Sequence, residues 1–396
     1  MVEQTNSKAP GIRFRDFKGD WEQNELGKLF PISSAARVHK NEWTKSGVPF
    51  FRSSDVVSNF KNNDNIKVFI SLELYEQLSA KVGRIKKGDI LVTGGGSIGI
   101  PYLVNNNEPL YFKDADLLWF KIRETVDSQF LFTFLSSEPF RRYLKSISHI
   151  GTISHYTIEQ AKKTPVTLPN DTKEQNRIGR YFRELNRLIG FHQRKHDKLV
   201  TLKKAMLQKM FPQPGATTPE IRFEGFSGDW VEKKLGNIFS YERPDHYIVR
   251  SSVYSKENKT PVLTANKAFI LGYTNESRSF DRPCIIFDDF TLESKYVDFP
   301  FMIKSSAIKL LTIQDSVVDD LYFAFLVLNK AETEIMGHAR HYISVVQPTL
   351  VRTPKIAEQQ KIGSYFRALD ALITKYAIQL QKLKQLKSAC LEKMFV

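Results

Sequence analysis

Along residues 362–394 the apolar and polar positions follow a fixed cadence. Ile362, Phe366, Leu369, Ile373, Tyr376, Leu380, Leu383, Lys387, Cys390 and Met394 are spaced by steps of four and three. That spacing keeps one stripe of an α-helix facing a partner helix over several heptads. Residues 178–210 carry the same cadence through Ile178, Phe182, Leu185, Ile189, His192, His196, Leu199, Lys203, Met206 and Met210. The two segments are copies. Ile178-Gly179-x-Tyr181-Phe182-Arg183-x-Leu185 returns as Ile362-Gly363-x-Tyr365-Phe366-Arg367-x-Leu369, and both copies end in Lys-Met-Phe. The offset stays at 184, and 17 of 34 aligned positions are identical, so the chain is built from two related halves. Neither copy contains a proline. Each predicts a helix of about 34 residues, roughly 50 Å long at 1.5 Å per residue. A lone helix of that length leaves its stripe in water, and the simplest cover for one copy is the other.

A second repeat opens each half. Pro10-x-Ile12-Arg13-Phe14-x-x-Phe17-x-Gly19-Asp20-Trp21 returns as Pro219-x-Ile221-Arg222-Phe223-x-x-Phe226-x-Gly228-Asp229-Trp230 at an offset of 209. The larger offset places about 25 extra residues inside the first half. Between opening and helix lie bodies with little detailed resemblance. The first predicts strands at Val48–Arg52, Ile90–Thr93 and Leu117–Ile122, and a helix over Phe130–Leu144. The second predicts strands at Pro261–Thr264, Cys284–Phe287 and Ala307–Leu311, and a helix from Leu321 to Leu328. Short apolar runs broken by turns with a late helix indicate α+β bodies. The Pro212-Gln-Pro214-Gly215 stretch marks the linker between halves. The expected division is a body over 1–172, a helix over 173–211, a second body over 212–356 and a second helix over 357–396.

Charge narrows the function. The net charge is +15 and the pI about 9.5, a balance suited to a polyanionic partner. Two cysteines, Cys284 and Cys390, supply neither a disulfide framework nor a zinc set. The polar opening and the lack of a long apolar run predict a cytoplasmic protein with no membrane span.

Most catalytic motifs are incomplete. Gly94-Gly95-Gly96-Ser97-Ile98-Gly99 fits G-x-G-x-x-G, but Pro101-Tyr102-Leu103 follows where a dinucleotide site needs a helix. It reads as a glycine-rich hairpin, one that, beside Lys86 and Lys87, could approach a DNA backbone. Asp288-Asp289 with Glu293-x-Lys295 imitates a nuclease set, with too few residues between the acids for paired strands. Asp298-Phe299-Pro300-Phe301 lacks the first proline of the amino-methyltransferase motif. His192 and His196 have metal-ligand spacing without a third ligand, and their place on the stripe favours a polar register pin. Two loops rich in His, Ser, Tyr and Gly, 149–156 and 337–344, precede the repeated helices. Their side chains can donate to phosphates and base edges. The candidate DNA contacts of the first body are Arg52, Lys86, Lys87, Thr93, Gly95, Gly96, Ser97, Ser154, His155 and Tyr156. Those of the second are Lys267, Tyr273, Ser294, Lys295, Lys304, Ser305, His338, Arg340, His341 and Tyr342.

An opening segment, a variable body and a Glu-Gln-x-x-Ile-Gly-x-Tyr-Phe helix, all given twice, resemble the specificity subunit of type I restriction–modification systems over the whole chain. Glu174-Gln175, Glu358-Gln359 and the Gly95-Gly96-Ser97-Ile98-Gly99 turn are similar to that family. The resemblance implies two α+β target recognition domains, each reading half of an asymmetric bipartite DNA site, separated by two long helices paired as an antiparallel coiled coil. It implies a chain without catalytic residues or metal. Two modification subunits and two restriction subunits would dock on it and carry S-adenosylmethionine, ATP and Mg2+. With a DNA turn of ~34–36 Å, a helix pair near 50 Å suggests half-sites of about 3–5 base pairs and a gap of about 5–8. A stand-alone DNA methyltransferase or nuclease is the alternative.

Overall fold

The structure, a computed structural model, describes residues 9–61, 63–147, 155–265, 269–331 and 341–396. The chain divides into two compact units, Met1–Gln193 with Ile378–Val396, and Arg194–Ala377. The first contains β1 (Glu22–Glu25), α1 (Leu26–Leu29), β2 (Ile32–Ser33), β3 (Val48–Phe51), α2 (Ser53–Lys61), β4 (Phe69–Ile70), α3 (Leu72–Val82), β5 (Ile90–Thr93), β6 (Pro101–Leu103), β7 (Tyr111–Phe112), β8 (Leu117–Phe120), α4 (Ser128–Phe134), α5 (Glu138–Ile147), α6 (Ile158–Lys162) and β9 (Pro165–Leu168). The long helix α7 (Thr172–Lys209) follows. The second half continues with β10 (Val231–Lys234), α8 (Leu235–Ile238), β11 (Phe239–Glu242), β12 (Thr260–Leu263), β13 (Ile270–Thr274), β14 (Cys284–Asp288), β15 (Ser294–Val297), β16 (Met302–Ile303), β17 (Ile308–Ile313), α9 (Leu321–Lys330), β18 (Leu350–Thr353) and the second long helix, α10 (Ile356–Lys393).

The bodies that differ in sequence share one topology. Unit one has a four-stranded sheet in the order β2-β8-β5-β6, and unit two has β11-β17-β14-β15. The three-stranded sheets β4-β3-β7 and β13-β12-β16 each join one antiparallel and one parallel pair. The opening strands close two-stranded ladders, β1 with β9 and β10 with β18. Helices α2 and α3 of unit one account for most of the extra length, because among the described residues no helix lies between β12 and β14. The helix expected over Phe130–Leu144 is two helices, α4 and α5. Pro139 lacks an amide proton and is tolerated only in a first turn, so the chain breaks after Leu135 and restarts at Glu138.

Inside each unit the two long helices run antiparallel. In unit one Tyr181 Oη lies 3.6 Å from Cys390 Sγ, and Lys384 donates to Gln193. In unit two Lys203 donates to both oxygens of Asp370, at 2.6 and 2.8 Å, and Tyr322 Oη donates to the same carboxylate at 2.6 Å. The predicted stripe is buried at Ile178, Phe182, Leu185, Ile362, Phe366, Leu369 and Leu380. It is half-buried at Ile189, His192, His196, Leu199, Met206, Ile373 and Leu383. At the repeat position of Asp370 the first copy holds Asn186, and burial lowers the pKa of Lys387, the copy of Lys203.

The Lys-Met-Phe ends leave the helices and enter body cores. Met394 and Phe395 pack in unit one with Trp21, Phe130, Phe134 and Phe182, and the Phe130 and Phe395 rings are 5.4 Å apart. Met210 and Phe211 pack in unit two, where Phe211 stacks on Phe323 at 5.6 Å and meets Trp230 and Phe366. The opening segment pairs with the same ends: Ile12 N donates to Lys393 O and Ile221 N to Lys209 O.

A duplicated latch fixes each long helix to its body. Arg13 gives two hydrogen bonds to Glu174 (2.6 and 2.7 Å), and Arg222 gives two to Glu358 (2.7 and 2.7 Å). Both glutamates are buried. Gln175 accepts from Asp127 N and donates to Pro169 O; Gln359 accepts from Asp320 N and donates to Pro354 O. Gly179 and Gly363 are required by this contact, because a Cβ on either would lie 2.6 Å from Asp127 Oδ1 or Asp320 Oδ1.

Two outcomes follow. Phe395→Ala and Phe211→Ala each lower unfolding free energy by about 3–5 kcal/mol, the usual cost of emptying a buried phenylalanine site, as read in urea titrations. Gly179→Ala costs about 1–3 kcal/mol through overpacking in the same assay, whereas Gly19→Ala, whose surroundings are open, costs only the strain of its positive φ.

Candidate nucleic-acid interface

The β5–β6 turn of unit one is held from both sides. Gly94 N donates to Asp116 O, and Tyr156 N donates to Gly94 O, each at 2.8 Å. A Cβ on Gly94 would lie 2.8 Å from Tyr156 O, so glycine is needed for this close approach. Thr93 Oγ1 accepts from Ile100 N (2.8 Å) and donates to Ser97 O (2.5 Å). Gly95, Gly96 and Ser97 form the tip, and Gly96 (φ +70°) faces open space. The construction brings His155 beside the tip, within 3.9 Å of a Cβ placed on Gly95. Next to it, Lys113 pairs with Asp116 (2.6 Å) and Arg37 with Asp114 (3.0 Å). Glycine backbone, imidazole, ammonium and guanidinium thus share one edge of the body.

Unit two builds the matching edge differently. Asp289 stands where Gly94 stands: its N donates to Ala307 O, and its carbonyl accepts from His341 N. Its carboxylate accepts from Tyr342 N at 2.7 Å and lies 3.3 Å from Lys309 Nζ, both groups being buried. Lys309 occupies the β17 position that Leu118 occupies on β8. Asp288 Oδ1 accepts from Phe290 N and Thr291 N and so shapes the β14–β15 turn. That turn exposes Phe290 where unit one exposes glycine. Asp288 and Asp289 of the nuclease-like set are engaged in the fold, Glu293 is exposed, and no cluster of three or more metal-binding side chains occurs among the described residues.

The sequence-predicted contacts differ in exposure. Gly96, Ser97, His155, Lys295 and Lys304 are accessible, Gly95, Ser305 and Tyr273 are half-buried, and Ser305 Oγ accepts from Ala307 N. Thr93, Tyr156, Ser294, His341 and Tyr342 are buried. Tyr156 Oη bonds Thr164 Oγ1 at 2.6 Å, and burial pushes its pKa far up. Ser294 donates to Asn329. Arg52 is engaged by Asp55 (2.8 Å) and Ile66 O (2.6 Å). The Thr93, Tyr156, Ser294 and Arg52 side chains are thus engaged within the fold, whereas His341 and Tyr342 are tied to Asp289 through their backbone N–H groups. Ser154, Lys267, His338 and Arg340 lie outside the described residues.

Lys86 and Lys87 are exposed at the other end of β5 from the glycine tip. At about 3.3 Å per residue the strand separates them from the tip by more than 10 Å, so the expected pairing of glycine loop and lysines does not form. Lys87 instead borders a cleft with Arg123, Asp127, Lys173 and Asn176; Arg282, Asp320 and Gln360 border its counterpart in unit two. Arg37 and Lys113 were not legible as interface residues, because nothing local in the sequence separates them from other surface cations.

Residues 18–201 match the family model described as type I restriction modification DNA specificity domain. The chain is similar to the specificity subunit of a type I restriction enzyme from Escherichia coli, with 42% identity over 131 residues, 32% of each chain. The aligned part is therefore about a third of that relative's length. A crystal structure of the S subunit of a type I restriction–modification system from M. genitalium superposes with a TM-score of 0.71, covering 98% of this chain and 99% of that one at 16% identity. At that identity the likeness is one of fold.

The buried Asp289–Lys309 pair yields a test. Asp289→Ala leaves the lysine buried and unpaired, and unit two loses about 3–5 kcal/mol by denaturant titration. Replacing both partners with unit one's residues, Asp289→Gly with Lys309→Leu, restores most of the loss.

Proposed function

We propose that this chain, which carries a type I restriction modification DNA specificity domain over residues 18–201, is the sequence-reading, non-catalytic subunit of a type I restriction–modification complex. One observation carries the reading: two units share strand order, latch and helix stripe yet differ at the loop tips of one edge. A frame kept twice with unlike tips suits the reading of two different half-sites, hence an asymmetric, bipartite target. Base edges are read by side chains held on rigid elements, while cations on the backbone supply affinity without sequence information. Gly95–Ser97, His155, Arg37 and Lys113 would serve one half-site, and Phe290, Thr291, Lys295 and Lys304 the other. The net charge of +15 supports backbone affinity that declines with salt.

The partners would be two modification subunits and, in the full assembly, two restriction subunits; S-adenosylmethionine, ATP and Mg2+ would reside on them. Exposed leucines support a partner bound twice. Leu188 and Leu202 on α7 recur as Leu372 and Leu386 on α10, all accessible. The paired helices would set the gap between half-sites. No helix among the described residues is long and apolar enough to cross a membrane. No observation favours the stand-alone methyltransferase or nuclease.

Mapping methylated adenines in cells with and without the gene tests the reading, which expects one gapped, non-palindromic motif that vanishes with the gene. Deleting one helical turn from the middle of α7 and the matching turn of α10 shortens the gap and leaves both half-site sequences unchanged. Altered half-sites would refute the spacer role.

A further inference from the structure

The long helices agree on their inward stripe and disagree on their outward one. Helical residues advance about 100° each, at 3.6 per turn, so Arg180, Arg183 and Arg187 project from α7 opposite Ile178, Phe182 and Leu185. All three are accessible, with the Arg183 and Arg187 side chains 59% and 68% exposed. Glu184 beside them pairs with Arg187 at 2.8 Å and with Arg183 at 4.0 Å, so the row keeps a net positive charge. Arg194 and Lys198 continue the spacing along the same helix. On α10 the matching positions of the three arginines hold Ser364, Arg367 and Ala371, and Arg367 is paired with Asp298.

A protein that docks twice meets the same surface twice, and the repeated exposed leucines have that property. A surface present on one helix alone fits a ligand present once. Closely spaced guanidinium groups with little acid among them fit a ligand that carries regularly repeated anions. We infer that the outward arginine row of α7, at Arg180, Arg183 and Arg187, is a sequence-independent contact for the phosphate backbone of the single DNA duplex. The inference rests on the DNA-reading function proposed above and adds to it a contact that neither body supplies.

The test uses the full chain assembled with its modification subunits. Arg180→Ser with Arg187→Ala gives α7 the residues of α10. Binding of a target duplex and of a random duplex is measured across a salt series. Each phosphate contact contributes about 0.9 to the slope of log affinity against log salt, so the slope falls by about 1.8 for both duplexes. Affinity for both drops by a similar factor, and preference for the target is unchanged. Arg180→Lys with Arg187→Lys retains the charge and the slope. An unchanged slope in a folded Ser/Ala variant that still binds the target overturns the inference and leaves the proposed function standing. Loss of assembly with the modification subunits at unchanged unfolding temperature also overturns it, since the row is then a protein-docking surface. Failure of the unaltered complex to bind any target duplex removes the proposed function, and the inference with it.

Discussion

A 38-residue helix with an apolar stripe exposes that stripe to water unless a second helix lies along it, and in each unit the second helix is the other copy. Because both helices are long, neither unit contains a whole one. Each takes the start of one and the end of the other, so the covering of the stripe ties distant parts of the chain into each unit. Burial is complete in the opening turns of both helices, at Ile178, Phe182, Leu185, Ile362, Phe366 and Leu369, and partial along most of the middle of the stripe. Two helices alone cannot enclose a seam, and the polar seam positions His192, His196, Lys203 and Lys387 are half-buried.

The ends of the helices convert this pairing into fixed attachment. Met-Phe at each C-terminal end fills a body core beside the tryptophan of the opening segment, and Arg-Glu and Gln contacts lock each N-terminal end. A bidentate arginine on a buried glutamate has directional geometry as well as charge, which sets the angle of each helix to its body. The same parts recur at both places with nearly the same distances. The loops of each body are therefore free to vary while their base remains fixed.

How that variation is accommodated is visible at one position. Gly94 and Asp289 make the same two backbone hydrogen bonds, but the glycine leaves room for a close carbonyl and an apolar Leu118, whereas the aspartate brings a buried lysine. One strand order thus tolerates two unlike interiors next to the exposed tip. A buried ion pair is weak evidence for stability; the turn that displays Phe290 is shaped by the neighbouring Asp288, which accepts from Phe290 N and Thr291 N.

The sequence alone determined the duplication, the two long helices, their inward stripe, the α+β character of the bodies and the glycine hairpin, since each rests on local periodicity or on identity between copies. It did not determine that two bodies without detailed resemblance share a strand order, because ladder pairing depends on contacts far apart in the chain. It did not place Phe395 in the first body or Phe211 in the second, although an apolar pair after a basic helix end was a legible hint. Seven of the twenty candidate contacts lie in the loops 149–156 and 337–344, and among the described ones tertiary structure alone decided which face solvent. Tyr156, His341 and Tyr342 are buried because the backbone at those points must bond the preceding turn, and a residue drawn that close to a core cannot also reach outward. His155, next in sequence to one of them, is exposed for the same reason: neighbours in an extended segment point to opposite sides.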